Sequence, residues 1–143
     1  MPTAAKTQAA RNAQSQQSKR ATLDLLKSKK RASEEFTIYV TDEDGGKQEV
    51  TLLFQSIGAV AYEKLVAKHP PKAEQRVEGA SYDINTFAPA LIAACSVDPE
   101  LSYKDAKEIW DSESWSRGDL MVLFMKAVEL NNRGIDIPFN ETD

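Results

Sequence analysis

Few residues of this 143-residue chain have side chains suited to catalysis, since it contains one histidine, His69, and one cysteine, Cys95. A nucleophilic site needs a base beside the nucleophile, so His69 would have to meet Cys95 or a serine in the folded chain. His69 stands before two prolines, where a helix must end, and Cys95 lies among apolar residues of a helical pattern. We therefore interpret His69 as a solvent-facing or helix-ending residue and Cys95 as a small buried hydrophobe. No catalytic residue is predicted, and we expect a protein that is not an enzyme.

Metal and cofactor sites have equally little support in the sequence. One histidine and one cysteine cannot supply the four ligands of a structural zinc site. The segment Asp42-Glu43-Asp44-Gly45 resembles the start of a calcium loop, but its twelfth position is Leu53, where such a loop needs a glutamate. Gly45-Gly46 lies in a predicted turn and not before a helix, as a phosphate-binding loop requires. We therefore predict no metal site and no cofactor.

The net charge of −4 conceals two oppositely charged parts of the chain. Residues 1–31 contain eight Lys or Arg and one Asp, a net charge of +7, whereas residues 32–143 contain ten Lys or Arg and 21 Asp or Glu, a net charge of −11. A basic arm of this kind can meet nucleic acid, an acidic partner or an acidic body of the same protein. Because residues 1–35 contain no aromatic side chain on which a base could stack, nucleic-acid binding is the less favoured interpretation.

Three features of the sequence favour the cytoplasm. A single cysteine cannot form an internal disulfide, which is typical of proteins in reducing compartments. The N-terminus is polar and rich in Gln and Ala, without the apolar stretch of a secretory signal. No apolar run approaches the ~18 residues of a membrane-spanning helix. We expect a cytoplasmic protein without a membrane partner.

The spacing of apolar residues predicts one β-hairpin in the N-terminal half. Apolar side chains alternate with their neighbours in two runs: Phe36, Ile38 and Val40, and then Val50, Leu52 and Phe54. Alternation of this kind is typical of strands, and the Asp44-Gly45 pair between the runs is a turn signal. Since a lone hairpin is rarely stable, its apolar face must pack on helices.

Helical patterns account for most of the remaining chain. The five predicted helices lie within residues 19–33, 57–68, 83–95, 102–110 and 116–130. Ser102 and Ser116 open the last two, each followed three residues later by an aspartate, as in a capping box. Residues 72–82 are a predicted polar loop between the second and third helices.

Composition divides the chain into two parts. Residues 1–18 contain no aliphatic or aromatic anchor beyond Met1 and are predicted to be disordered, because nothing there offsets the entropy of ordering. Residues 135–139 are a predicted extended tail. The expected fold class is α+β, mainly α-helical, with a basic arm at residues 1–33 that contains one short helix, and a globular domain with the hairpin at residues 34–139.

Two tryptophans, Trp110 and Trp115, flank the link between the last two predicted helices. The helix that follows is apolar nearly all round, which is typical of a central helix or of one that lies half in an interface. Tryptophan anchors many interfaces and methionine suits adaptable binding surfaces, although both also pack in cores. The candidate partner-binding residues are therefore Trp110, Trp115, Leu120, Met121, Phe124, Met125 and Val128. Core packing of the same residues is the alternative interpretation.

The same region resembles a known protein family. The residues that carry the resemblance are Leu101-Ser-Tyr-Lys-Asp-Ala-Lys-Glu-Ile-Trp110, Trp115-Ser-Arg-Gly-Asp-Leu120 and Ala127-Val-Glu-Leu-Asn-Asn-Arg-Gly134. In these stretches the chain is similar to tail assembly chaperones of long-tailed bacteriophages, the siphoviruses, that infect actinobacteria. The resemblance is best over residues 84–139 and does not cover residues 1–33.

The resemblance implies a protein without catalytic residues that binds the tape measure protein and keeps it soluble in the host cytoplasm before the tail tube polymerises. It also implies that the chain is absent from the mature virion. Members are often made in two forms, the longer one by a programmed ribosomal frameshift, and this chain looks like the short form. The expected partners are the tape measure protein, a frameshifted longer form and further copies of this chain.

Two other functions stay open on the sequence alone. One is a structural tail or connector protein of the virion. The other is a regulator that binds nucleic acid through the basic arm.

Overall fold

The computed structural model describes residues 19–133, which belong to two compact units divided between Lys30 and Arg31. The first unit contributes one helix, α1 (Leu23–Lys27). The strands of the second unit are β1 (Ser33–Thr41), β2 (Lys47–Gln55) and β3 (Ser96–Asp98). Its helices are α2 (Ala59–Lys68), α3 (Ala73–Val77), α4 (Ile84–Cys95), α5 (Tyr103–Trp110) and α6 (Arg117–Asn131). The predicted disordered segment 1–18 and the predicted tail 135–139 lie outside the described residues.

The predicted fold class is confirmed: the chain is α+β and mainly helical, with an antiparallel sheet in the order β1-β2-β3. All five predicted helices are present, and two short elements, α3 and β3, were not predicted. The prediction of a loop over 72–82 is wrong where α3 forms, because residues 73–76 (Ala-Glu-Gln-Arg) are all good helix formers. Three residues are too few for β3 to show an alternating pattern.

Helix α1 carries exposed leucines between basic residues. The Thr22 hydroxyl caps its N-terminus by accepting a hydrogen bond from the Leu25 N–H at 3.2 Å. The side chains of Leu23, Leu25 and Leu26 are 65, 48 and 66% exposed, and no residue of α1 is buried. Isolated helices shorter than ~12–15 residues are marginal in water, so this five-residue helix needs an apolar surface to pack on.

Strands β1 and β2 form an in-register hairpin with one apolar face. Ile38 lies opposite Val50, and Phe36 lies opposite Leu52. The turn between the strands ends at Gly45, whose φ of +83° is a left-handed conformation that favours glycine. This register places the apolar side chains of both strands on the same side of the sheet.

The core lies between that apolar face and the helices that cover it. Helix α4 is central because α2, α5 and α6 all contact it, and seven of its twelve residues are buried. The side chains that form the buried core are Leu52, Phe54, Phe87, Ala88, Leu91, Ile92, Cys95, Ala106, Trp110, Leu120, Leu123, Phe124, Ala127 and Leu130. Phe87 and Phe124 meet edge to face in the middle of this cluster, with ring centroids 6.1 Å apart.

Asn131, the last residue of α6, ties this helix to the segment between β2 and α2. Its Oδ1 accepts a hydrogen bond from the Ile57 N–H at 2.9 Å. Its Nδ2 donates to the Ala127 carbonyl at 2.7 Å and to the Cys95 Sγ at 3.2 Å. One amide side chain therefore joins three parts of the chain that are distant in sequence.

We expect Asn131→Ala to lower the free energy of unfolding by about 1–3 kcal/mol, because it leaves the partly buried Ile57 N–H without its acceptor. Urea unfolding followed by circular dichroism measures the loss. The matched control is Asn132→Ala, since the exposed Asn132 side chain bonds back to Val128 of its own helix; its effect should stay within about 0.5 kcal/mol. Equal losses in the two variants would contradict this role of Asn131.

Glu34 joins the start of β1 to the end of α6. Its carboxylate accepts hydrogen bonds from the Lys126 ammonium and the Arg133 guanidinium. These bonds hold the pKa of Glu34 below its usual value of 4.5, and the bond from Lys126 has the larger effect. Because this pKa is lower in the folded chain than in the unfolded chain, ionised Glu34 stabilises the fold at pH values above 4.5. That contribution is lost as the pH falls through the folded-state pKa.

The stability difference between the wild type and Glu34→Gln should therefore be largest near neutral pH and should shrink as the pH falls below 4.5. Thermal melting at a series of pH values measures this difference. Glu35→Gln is the control, because Glu35 lies on the exposed face of β1. A difference that stays constant down to pH 2 would show that Glu34 gains nothing from its two cationic neighbours.

Candidate functional site

The structure confirms the predicted positions of the histidine and the cysteine. His69 ends α2, and its ring lies 6.4 Å from that of Tyr103 and 6.3 Å from that of Phe87, measured between centroids. Cys95 is buried at the end of α4, where burial raises the pKa of its thiol more than the hydrogen bond from Asn131 lowers it. A protonated thiol without solvent access is a poor nucleophile.

The acidic turn that resembled a calcium loop is used by the hairpin itself. The Asp42 carboxylate accepts hydrogen bonds from the N–H groups of Asp44 at 3.0 Å and Gly46 at 2.8 Å. Within residues 19–133, no three His, Cys, Asp or Glu side chains lie close enough together to hold a metal ion. Every buried side-chain nitrogen and oxygen in that same part of the chain has a hydrogen-bond partner.

The seven candidate partner-binding residues do not form one surface. Three of them are buried in the core, with exposed fractions of 3 to 4%: Trp110, Leu120 and Phe124. Three more are half-buried: Trp115, Met121 and Val128. The last, Met125, is 53% exposed on the outer side of α6. Core packing, the alternative interpretation, therefore describes the first three, which can reach a partner only if the core opens.

Trp110 is fixed in the core through contacts between α4 and α5. Pro89 has no N–H, which leaves the Asn85 carbonyl, four residues earlier in α4, without its helical hydrogen bond. The Lys107 Nζ donates to this carbonyl at 2.9 Å, and the Trp110 Nε1 donates to the Asn85 Oδ1 at 3.3 Å. The Arg117 guanidinium lies over the Trp110 ring, 5.2 Å from its centroid. The corner between α5 and α6 is therefore held by contacts with Asn85 of α4 and with Arg117 of α6.

An apolar groove with a volume of about 190 Å³ lies between this corner and the turn-side half of the hairpin. The two hairpin strands form one wall, while the segment before α5, α5 itself and the α5–α6 link form the other. The lining side chains that remain partly exposed are Ile38, Val40, Val50, Leu101, Ile109 and Trp115. Buried core residues form its floor, among them Leu52, Trp110 and Leu120. Trp115 is thus the one sequence-predicted residue that is both accessible and in the groove.

The groove exists because the hairpin extends past the helices. Along β2, Phe54 is fully buried, Leu52 is 9% exposed, Val50 is half-buried and Gln48 is exposed. At the covered end, the Phe36 and Phe54 rings meet edge to face, with centroids 4.8 Å apart. A nine-residue strand spans roughly 30 Å, whereas α6, the fifteen-residue helix that contacts β2, spans about 22 Å. The apolar face of the hairpin therefore continues beyond the layer that buries it.

The segments that border the groove are rich in acidic residues. Residues 41–49 at the turn and residues 102–119 around α5 carry nine Asp or Glu and four Lys or Arg, a net charge of −5. Two neighbouring depressions share Trp115 with the groove; Asp119 lines one, and Asp105 and Glu108 line the other. An apolar floor with an acidic rim is complementary to a segment that is apolar on one face and basic beside it.

The hairpin wall of the groove was not predicted from the sequence. Ile38, Val40 and Val50 alternate with their neighbours as core-facing strand residues do, and alternation does not indicate how far a covering helix reaches. A comparison of the lengths of the predicted strands and helices could have indicated that part of the hairpin face stays uncovered.

The two tryptophans should differ in their contributions to stability. We expect Trp110→Ala to lower the free energy of unfolding by about 3–5 kcal/mol, because it empties a buried site. Trp115→Ala should cost about 1 kcal/mol, because the side chain is half-buried in the groove wall. Urea unfolding measures both values. A loss at Trp115 as large as that at Trp110 would show that Trp115 belongs to the core.

Comparisons with protein-family models, curated proteins and solved structures find no match to this chain. Among residues 19–133, no helix combines the length and the apolar composition that a membrane span requires. The resemblance to tail assembly chaperones stays a prediction, and the groove is the surface from which a function can be argued.

Proposed function

We propose that this chain is a non-catalytic binding protein that holds an amphipathic segment of another polypeptide in the groove. The observation that carries the proposal is the set of partly exposed apolar side chains on both walls, from Ile38 and Val40 on one side to Ile109 and Trp115 on the other. Apolar side chains that converge on an open groove offer a contact surface for the apolar face of a partner segment.

The size and composition of the groove favour a polypeptide over a small molecule. Typical small-molecule sites occupy ~300–1,000 Å³ and contain a few convergent polar groups, whereas this groove measures about 190 Å³ and Thr51 is its one polar lining residue. Such a volume admits a few apolar side chains but not a whole helix. A partner helix would therefore lie across the opening and insert side chains spaced three or four residues apart.

The acidic rim sets the character of the partner and of the complex. Exposed carboxylates beside the groove attract basic residues that flank the bound apolar face. The net charge of −11 over residues 32–143 also keeps a complex with an apolar client from associating further. Both properties suit a chaperone that covers an aggregation-prone segment until that segment is assembled.

The resemblance of residues 84–139 to tail assembly chaperones supplies the identity of the client. We propose that the chain binds the tape measure protein of a long-tailed bacteriophage in the host cytoplasm and keeps it soluble before the tail tube polymerises. A tape measure protein is long, helical and apolar in places, so it offers many segments of the kind that the groove accepts. The chain acts through binding alone in this proposal, with no catalytic residue and no cofactor.

Co-expression of the full chain with the tape measure protein of the same phage tests this function. The wild type should keep the tape measure protein soluble and should purify with it. Ile109→Lys, which places a charge in the groove wall, should reduce the co-purified amount at least tenfold, since loss of a binding hot spot costs about 2 kcal/mol or more.

Met125→Lys is the matched control for this experiment. It places the same charge on an exposed residue of α6 outside the groove, and so co-purification should persist. If Met125→Lys abolished binding while Ile109→Lys did not, the client would bind the outer face of α6 instead. A tape measure protein that stays soluble by itself and ignores the wild-type chain would contradict the chaperone function.

A further inference from the structure

We propose that helix α1 of one copy of this chain, together with its basic flanks, binds in the groove of a second copy. The proposal rests on the groove being a binding site for amphipathic segments, as in the proposed function. It goes further by naming an occupant within the protein itself. Helix α1 then competes with the client for the same surface.

Both α1 and the groove present apolar side chains that are partly or largely exposed. Leu23, Leu25 and Leu26 are all about half exposed or more, on a helix that has no buried residue. A helix of five residues gains most of its stability from packing, because its nucleation cost is not recovered over so few hydrogen bonds. The groove offers partly exposed side chains of the same apolar type, among them Ile38 and Ile109.

The segments that carry α1 and that border the groove have opposite net charges of equal size. Residues 19–31 contain six Lys or Arg and one Asp, a net charge of +5. The segments 41–49 and 102–119, which border the groove, carry a net charge of −5. Exposed charges attract over roughly 8 Å at physiological ionic strength. The attraction is therefore effective only when α1 lies on the groove, and high salt should weaken it.

The length of the connecting segment favours a second copy over the same chain. Five residues, 28–32, separate α1 from β1, and the step from Lys27 to Ser33 spans at most about 20 Å when fully extended. Ser33 pairs with Gln55 at the end of the hairpin opposite the turn. The groove residues Ile38 and Val40 lie roughly 17–23 Å farther along β1. Helix α1 of the same chain would reach Val40 only with this segment fully stretched, whereas α1 of a second copy has no such constraint.

The donor helix and the acceptor groove are different surfaces, so the contact is head-to-tail and is not self-complementary. Each copy can therefore donate its α1 to one neighbour and accept α1 from another. A client segment that fills the groove displaces the neighbour's α1, and this links client binding to disassembly of the free chains.

A complementation experiment with full-length variants tests the proposal. The donor variant, Leu23→Asp with Leu26→Asp, removes the apolar face of α1 and leaves the groove intact. The acceptor variant, Ile109→Lys, blocks the groove and leaves α1 intact. Light scattering should show wild-type mass rising with concentration at low salt, and each variant alone should stay monomeric. An equimolar mixture of the two variants should form a 1:1 dimer, because each supplies the surface that the other lacks.

Three results would overturn the proposal. The first is a wild type that is monomeric at every concentration, as expected if α1 binds in its own groove or nowhere. The second is a donor variant that still associates. The third is an equimolar mixture that contains monomers only, although the wild type associates.

Matched variants separate these results from loss of folding. Val60→Asp makes the same kind of change at an exposed valine of α2, 65% exposed like Leu23, and should leave association unchanged. Circular dichroism and urea unfolding check that Ile109→Lys is folded. Val40→Lys on the opposite wall is the second acceptor variant, and the complementation result must be the same with it.

Client binding distinguishes this proposal from the proposed function. The donor variant should still purify with the tape measure protein, because its groove is intact and free. If the mixture forms the 1:1 dimer while no variant or wild type retains the tape measure protein, the inference stands and the proposed function falls. If the mixture stays monomeric while the wild type retains the tape measure protein, the proposed function stands and the inference falls.

Discussion

The fold depends on a mismatch in length between the hairpin and the helices that cover it. Both long strands have nine residues, and three alternate residues of each form one apolar face. The helices bury only the half of this face that lies away from the turn. A domain of this size has few further residues with which to cover the remainder. The uncovered half of the face, together with the α5–α6 corner, becomes the groove. Packing geometry thus leaves an apolar groove on the surface of the domain.

The covered end of the hairpin is held by directional contacts as well as by apolar packing. Glu34 bonds to two cationic side chains at the C-terminal end of α6, and Asn131 connects the same end of α6 to the segment after β2. On the other side of the core, the carbonyl that Pro89 leaves free accepts a hydrogen bond from Lys107 and fixes α5 against α4. The first set of contacts fixes the hairpin to α6, and the second fixes α5 to α4. The packing of the core between these elements therefore sets the distance between the two groove walls. The groove is therefore already formed in a single copy of the chain.

The sequence predicted the elements of this fold better than it predicted the groove. Alternation at Phe36, Ile38 and Val40 was sufficient to predict β1, and the serine caps were sufficient to place the starts of α5 and α6. Helix α3 was missed because its polar residues were interpreted as a loop, and polarity alone does not oppose helix formation. Apolar periodicity reports that a side chain prefers burial, but not whether a neighbouring element reaches far enough to bury it.

The seven predicted partner-binding residues show the same limit. Three of them line the groove, Trp115 in its wall and Trp110 and Leu120 in its floor, whereas Met121, Phe124, Met125 and Val128 do not. Which of them are accessible depends on the angle between α5 and α6 and on the position of the hairpin above them. Both are set by tertiary contacts, such as that between Trp110 and Asn85, between residues far apart in the sequence. The opposite wall comes from a part of the chain more than fifty residues away, which no local pattern connects to the tryptophans.

An NMR titration of the methyl-labelled full chain with an amphipathic tape measure segment measures the use of the groove most directly. If the groove is the binding surface, the methyl signals that shift will be those of Ile38, Val40, Val50 and Ile109. The signals of the core residues Leu91 and Leu130 should stay in place. Shifts confined to Met121, Val122 and Met125 on α6, or binding that moves none of the groove methyl signals, would contradict the claim that the uncovered half of the hairpin is where this protein acts.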